Sequence, residues 1–180
     1  KKIKNFGVIT AKIKGKKYKD LIIGHDKKIN MPVLSFNTGV VMLFKKNTLL
    51  KIGKFDEKIF LYFEEFDFCL RCNKEKLPIY LLDEAKINHK GNSSVNKKYD
   101  YQIKINRNWH YCWSKFYYFK KHHGYLYGLK KTLPNLVRSI KRCIYYLITG
   151  NKKKFLIQKA EISGLFSSYF LRESFYRPKI

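Results

Sequence analysis

Acidic residues are scarce in this sequence: 13 Asp and Glu stand against 39 Lys and Arg in 180 residues, a formal net charge of +26. Such an excess suits contact with nucleic acid or anionic lipid, or reflects a lysine-rich proteome. The lysines are spread over the whole length rather than gathered in one arm, which weakens the nucleic-acid reading. Lys, Tyr, Asn and Ile are abundant together, as an AT-rich coding sequence produces, so part of the charge is compositional.

Long apolar runs are missing as well. A bilayer span needs ~18 uncharged apolar residues, and Arg138, Lys141 and Arg142 interrupt the most apolar carboxy-terminal segment, so no transmembrane helix is expected. No apolar stretch follows basic residues near the amino terminus as a secretory signal requires. The first residue is Lys1, and the chain reads as a piece of a longer one. Cysteine is limited to Cys69, Cys72, Cys112 and Cys143. The C-x-x-C of Cys69 and Cys72 has no second pair to complete a zinc site, and it does not open a helix, where a thiol is activated. Buried thiols in a reducing, cytoplasmic compartment are expected. What is present is core material: 45% hydrophobic and 17% aromatic residues argue for a folded chain despite the charge.

The few acids are not evenly placed. Glu64, Glu65 and Asp67 crowd into four positions and open a predicted helix that closes with Arg71, Lys74 and Lys76 and stops at Pro78. Acids in a first turn and bases in a last complement the helix dipole, by ~0.3–1 kcal/mol each when exposed, and that use needs no chemistry. Helical spacing puts Ile59, Phe63, Phe66, Leu70 and Leu77 on one apolar stripe, with Glu65 nearly opposite and Asp67 at its edge.

Along the chain, Phe6 to Ile13 alternates as a strand and leads into a lysine-rich loop. Thr38 to Phe44 is an apolar, β-branched run suited to a buried strand, with Gly39 allowing close backbone approach. Lys45 to Ile52 reads as a short helix ended by Gly53. Ile79–Leu82 and Ala85–Ile87 read as two short strands flanking Asp83 and Glu84, with His89 at the end of the second. Ser93 and Ser94 follow, suited to phosphate contact or to capping the next helix. From about Lys97 the pattern is helical, with Trp109, Trp113, Phe116 and Tyr117 on one side and a boundary at Gly124. The adjacent His122 and His123 point ~100° apart on a helix and do not readily share an ion. Two amphipathic segments finish the chain. The first carries Leu133, Leu136, Val137, Ile140, Ile144, Leu147 and Ile148 and ends at Gly150; the second carries Phe155, Ile162, Leu165, Phe166, Tyr169 and Phe170. Such stripes suit a core, and basic aromatic-rich ones also suit a membrane interface.

Four blocks carry a resemblance: Phe36 to Lys46 (FNTGVVMLFKK), Ile52 to Glu57 (IGKFDE), Phe60 to Arg71 (FLYFEEFDFCLR) and Ala85 to Ser94 (AKINHKGNSS). In order and spacing they resemble the second half of a family 2 glycosyltransferase of the rhamnosyl- and galactofuranosyl-transferase-like branch, over residues 4 to 125. The resemblance implies an α/β fold, the carboxy-terminal half of a GT-A domain at residues 1–124, followed by a basic amphipathic helical tail at 125–180. It implies inverting transfer of a sugar from a nucleotide-diphospho-sugar donor to a hydroxyl of a polysaccharide or lipid-linked glycan in cell-envelope synthesis.

In that family the acidic tract usually reads Glu-Asp-x-Asp, and its second acid is the general base. Glu65 falls on that position, one methylene longer than the usual aspartate, with Glu64 and Asp67 as its catalytic neighbours. Thr38, Gly39, Tyr62, Ser93 and Ser94 are assigned to substrate. His89 matches a histidine that helps bind the divalent metal, Mg or Mn, on the nucleotide diphosphate. The family's Asp-x-Asp, which supplies the other ligands, occurs nowhere in these 180 residues; it is expected on an upstream segment, and the piece alone is expected to be inactive. The tail is expected to seat the enzyme on an anionic membrane surface, at the inner face of the cell membrane. Two rivals come from other classes: a basic nucleic-acid-binding module, and a non-catalytic membrane-surface adaptor.

Overall fold

The computed structural model describes residues 3, 5–90 and 96–177. They form a mixed α/β protein of two compact units, Lys1–Asp56 with Glu64–Ser93 and Glu57–Phe63 with Ser94–Ile180. The expected boundary at residue 124 falls inside the second of these.

The first unit holds one four-stranded sheet. Its strands are β1 (Val8–Ile13), β2 (Ile22–Asp26), β3 (Met31–Leu34) and β4 (Ile79–Ile87), in the order β1-β4-β3-β2. β4 runs parallel to β1 and antiparallel to β3. The two short strands expected around Asp83 and Glu84 are one: Ala11 pairs with Leu82 and Lys12 with Lys86, so Asp83 to Ala85 bulge out of register. The bulge carries Asp83 to an ion pair with Lys12 at 3.1 Å.

The β2–β3 hairpin occupies what the sequence presents as loop. β2 is almost wholly exposed and has no alternating apolar face, so its signal is the turn. Asp26 accepts a hydrogen bond from the Lys28 N–H at 2.9 Å, and Asn30 takes a left-handed φ of 58°. Conversely, Thr38–Phe44 is not a strand. The Asn37 amide donates to the Val41 carbonyl at 2.8 Å and folds the segment back, leaving a single bridge from Leu43 to Ile9.

Helix α1 (Lys46–Ile52) ends as expected at Gly53, whose φ of 83° suits glycine. Helix α2 (Glu64–Lys74) starts at the acids, so Ile59 and Phe63 are not on it. Its buried residues are Asp67, Phe68, Cys69 and Cys72 rather than Phe66 and Leu70. Packing decides this rotation: a Cβ at Gly7 would lie 2.7 Å from Cys72 Cβ and Sγ, so backbone runs directly over the cysteine side. Phe68, Cys69 and Cys72 join Val8, Leu34, Ile79 and Leu81 in the core. Burial pushes the Cys69 thiol up to about 12 and the Cys72 thiol up to about 11, so both are protonated and unreactive.

The second unit is helical: α3 (Asp100–His123), α4 (Tyr125–Ile148) and α5 (Lys152–Tyr169), with Gly124 at φ 91° between the first two. Trp109, Trp113 and Phe116 are buried along α3. α3 and α5 touch at backbone level, because a Cβ on Gly164 would run into the Trp109 carbonyl. Indole N–H groups fasten the pair: Trp109 donates to Ser163 Oγ at 3.2 Å and Trp113 to the Arg172 carbonyl at 3.0 Å. Glu57–Phe63 joins this unit through Leu61, whose carbonyl accepts from Ser114 Oγ at 2.8 Å.

The two predicted stripes behave differently. Leu165 and Tyr169 of α5 are buried, as a core stripe should be. On α4 the buried residues are Gly128, Thr132, Leu136 and Ser139, while Leu133, Val137, Ile140, Ile144, Leu147 and Ile148 face outward. Small residues face inward because α3 is close: a Cβ at Gly128 would lie 2.9 Å from the Phe116 ring.

Candidate functional site

The three acids that open α2 serve different ends. Asp67 is fully buried, its Oδ2 2.9 Å from both Nε and Nη2 of Arg71 one turn on. Arg71 donates in turn to the carbonyls of Ile52, Gly53 and Lys54 at 2.6, 3.0 and 2.9 Å. Those carbonyls lie at and just past the end of α1, where a helix leaves acceptors open. The Asp67 carboxylate is thus engaged in holding a guanidinium that closes a helix end.

Glu64 and Glu65 are half-buried, and each has one carboxylate oxygen, Oε2, buried without a hydrogen-bond partner. Orphaned buried acceptors are costly and rare in native proteins, and they gather where a ligand is to be met. Burial pushes the Glu65 carboxyl above its ordinary value of 4.5, and the neighbouring Glu64 charge adds to the rise. The backbone N–H groups of Glu65, Gly39 and Phe66 oppose it.

The turn at Asn37-Thr38-Gly39 lies against this carboxylate. The Asn37 N–H donates to Cys69 Sγ at 3.4 Å, tying the turn to α2. A Cβ on Gly39 would sit 3.7 Å from Glu65 Cβ, which is ordinary contact. What the turn supplies is therefore the Gly39 N–H, not space that only glycine leaves. Lys16 donates to Thr38 Oγ1 at 3.0 Å. Burial lowers the pKa of its ammonium, and the Glu65 charge partly restores it. Asn37 is buried, with its Oδ1 unpartnered.

Within the first unit, Glu64, Glu65, Thr38 and Gly39 therefore come together as the sequence suggested, and Lys16 and Asn37 join them. Lys16 is hidden in sequence among Lys12, Lys14, Lys17 and Lys19. Asn37 stands in the first resemblance block with no role attached to it. Chemically, the cluster offers a carboxylate of raised basicity beside an ammonium, a hydroxyl and an amide that can bind a polyhydroxylated molecule.

The other assigned residues stand apart or lie elsewhere. Tyr62 belongs to the second unit. Its φ is 64° and that of Phe63 is 70°, consecutive left-handed non-glycine residues, which carry strain of ~1 kcal/mol or more each. Aromatic packing holds them: Tyr62 meets Tyr111 at 5.8 Å, and Phe63 meets Tyr111 and Tyr118 at 5.5 Å each. His89 is exposed in the segment after β4. Among the described residues no group of three or more His, Cys, Asp or Glu is arranged to hold a metal ion, so this chain's own residues do not fit a complete metal centre. Ser93 and Ser94 lie outside the described residues.

No protein-family model matches this sequence, and its comparison with curated proteins and with solved structures gives no match.

Proposed function

We propose that the first unit is the acceptor-side, carboxy-terminal half of a GT-A-fold, family 2 inverting glycosyltransferase, and that Glu65 is its general base. The observation that carries this reading is the Glu65 carboxylate: raised by burial, with an orphaned oxygen, beside Lys16 and the Asn37-Thr38-Gly39 turn. The four sequence blocks support it independently.

In the proposed reaction a hydroxyl of a glycan or lipid-linked acceptor gives its proton to Glu65 as its oxygen attacks the anomeric carbon of a nucleotide-diphospho-sugar. The bond from that carbon to the diphosphate breaks, and the electron pair leaves with the nucleoside diphosphate. Attack opposite the leaving group inverts the anomeric centre. A divalent metal, when bound, offsets charge on the diphosphate. Lys16 and Thr38 orient acceptor hydroxyls, and Glu64 keeps Glu65 basic through its charge. The donor's nucleotide is assigned to residues outside this sequence, which has no Asp-x-Asp. The reaction is placed at the inner face of the cell membrane, where lipid-linked acceptors are reached. Among the described residues no helix is long and apolar enough to cross it.

The test is sugar transfer by the natural full-length protein from a panel of nucleotide-diphospho-sugars. Glu65→Gln is expected to lose turnover by ~10²–10⁴ with donor affinity kept, the usual size of a general-base contribution, and Glu64→Gln to lose much less. Near-normal turnover in Glu65→Gln would overturn the assignment.

A further inference from the structure

Helix α4 has its polar side in and its apolar side out. The inward hydroxyls are bonded: Thr132 Oγ1 lies 2.9 Å from the Tyr169 hydroxyl, and Ser139 donates to Glu161 Oε2 at 2.6 Å. The outward ridge is Leu126, Leu133, Val137, Ile140, Ile144 and Ile148, all exposed. At ~100° per residue these fall within about 80° of arc, and the helix extends for about 36 Å. Its ends are the barest part, Leu126 and Ile148 each being 80% exposed. Soluble surfaces rarely carry so long a continuous apolar stripe without a partner.

Charge indicates which partner. α4 contains Lys130, Lys131, Arg138, Lys141 and Arg142 and no acidic residue. On the helical wheel Lys130 and Lys141 border the ridge, with Arg138 and Arg142 further round on that side. A shallow groove of about 660 Å³ runs there, floored by Leu133, Pro134 and Val137 and rimmed by the four cations. A second copy of the chain seated face to face would bring two sets of cations together without a counter-charge. We propose that this face of α4 lies in the surface of an anionic phospholipid bilayer, the ridge among the upper acyl chains and the cations on headgroup phosphates. It lies on the membrane and does not cross it, since the cations interrupt the apolar length. The inference is independent of glycosyl transfer and stands or falls without it.

Flotation of the full chain with vesicles tests it, using phosphatidylcholine alone and phosphatidylcholine with one-third phosphatidylglycerol. Binding is expected only to the anionic vesicles, falling about tenfold or more between low and high salt as screening tightens. Leu133→Asp with Ile144→Asp, and separately Lys141→Glu with Arg142→Glu, should each cut the bound fraction at least tenfold with unchanged circular dichroism, because all four side chains are exposed. Leu50→Asp, an exposed leucine of the first unit, should leave binding intact. Binding indifferent to lipid charge, binding unaffected by the α4 pairs, or no binding with self-association by sedimentation would each overturn the proposal.

Discussion

α2 and α4 both turn an unexpected face inward, and for opposite reasons. On α2 the apolar Phe66 and Leu70 yield the buried positions to Asp67, Phe68, Cys69 and Cys72. On α4 the leucines and isoleucines yield to Gly128, Thr132 and Ser139. In α2 the anomaly is charge brought inside, where it is either tied to Arg71 or left with an orphaned oxygen on Glu64 and Glu65. In α4 it is apolar surface put outside, where nothing within the described unit covers it. The first kind of departure marks chemistry or a buried brace, and the second marks a contact surface.

The sharpest way to test the contrast is to remove the charge of Glu65. Beyond its effect on turnover, Glu65→Gln is expected to make the protein more stable at neutral pH. The folded-state pKa of Glu65 lies above its unfolded value, so its favourable contribution is present below 4.5 and is lost as pH rises through the raised value. The variant's advantage in chemical denaturation should therefore appear as pH climbs past about that point and then level off. A substitution that stabilises while abolishing activity is what a site held at a cost to the fold produces. A Gln variant less stable at every pH would instead make Glu65 a structural acid like Asp67.

Asp67→Asn comes next in size. It leaves Arg71, a largely buried guanidinium, without its counter-charge, and losing one member of a buried pair costs about 3 kcal/mol or more. The loss should be read as a fall in denaturation midpoint, because the α1 end that Arg71 closes is released with it. If Asp67→Asn kept its stability and lost turnover, the roles of the two acids would be exchanged.

These two acids also mark where sequence reasoning stops. The tract was legible as a cluster, since three acids in four positions are conspicuous in so basic a chain. The division between Glu65 and Asp67 was not, because it depends on how α2 is rotated, and Gly7 fixes that rotation by closing over Cys72 from far off in sequence. Helix ends were legible at Gly53, Gly124 and Gly150, whose φ values of 83°, 91° and 66° are ones that only glycine adopts easily. The β2–β3 hairpin was not, because an exposed strand with no apolar face has no periodic signal. Lys16 could not be found among its neighbouring lysines. It becomes special only when folding sets it beside Thr38 and Glu65.

On α4 the inward hydroxyls should matter moderately. Ser139→Ala deprives the Glu161 carboxylate of a bond made from a fully buried donor at 2.6 Å. A hydrogen bond to a charged group contributes ~1.5–3 kcal/mol, and the lower end applies here because Glu161 retains some access to water. Equal stability in Ser139→Ala would mean that the inward face is held by close packing at Gly128 alone.

The smallest effect is expected one helical turn away, and it separates α4 from an ordinary amphipathic helix. Leu133 and Leu136 are indistinguishable as members of one predicted stripe, yet Leu136 is 8% exposed and Leu133 is 51% exposed. Leu136→Ala removes a side chain packed with Cys112, Phe116, Leu165 and Tyr169, and a buried leucine truncated to alanine costs ~2–5 kcal/mol. Leu133→Ala removes contacts with water, and such surface changes stay within about 0.5 kcal/mol. Parallel urea titrations give the comparison directly. A loss at Leu133 approaching that at Leu136 would show that the outer ridge is covered in the protein in solution, by another part of the natural chain or by a second copy, and would remove the ridge from the lipid surface on which it is proposed to sit.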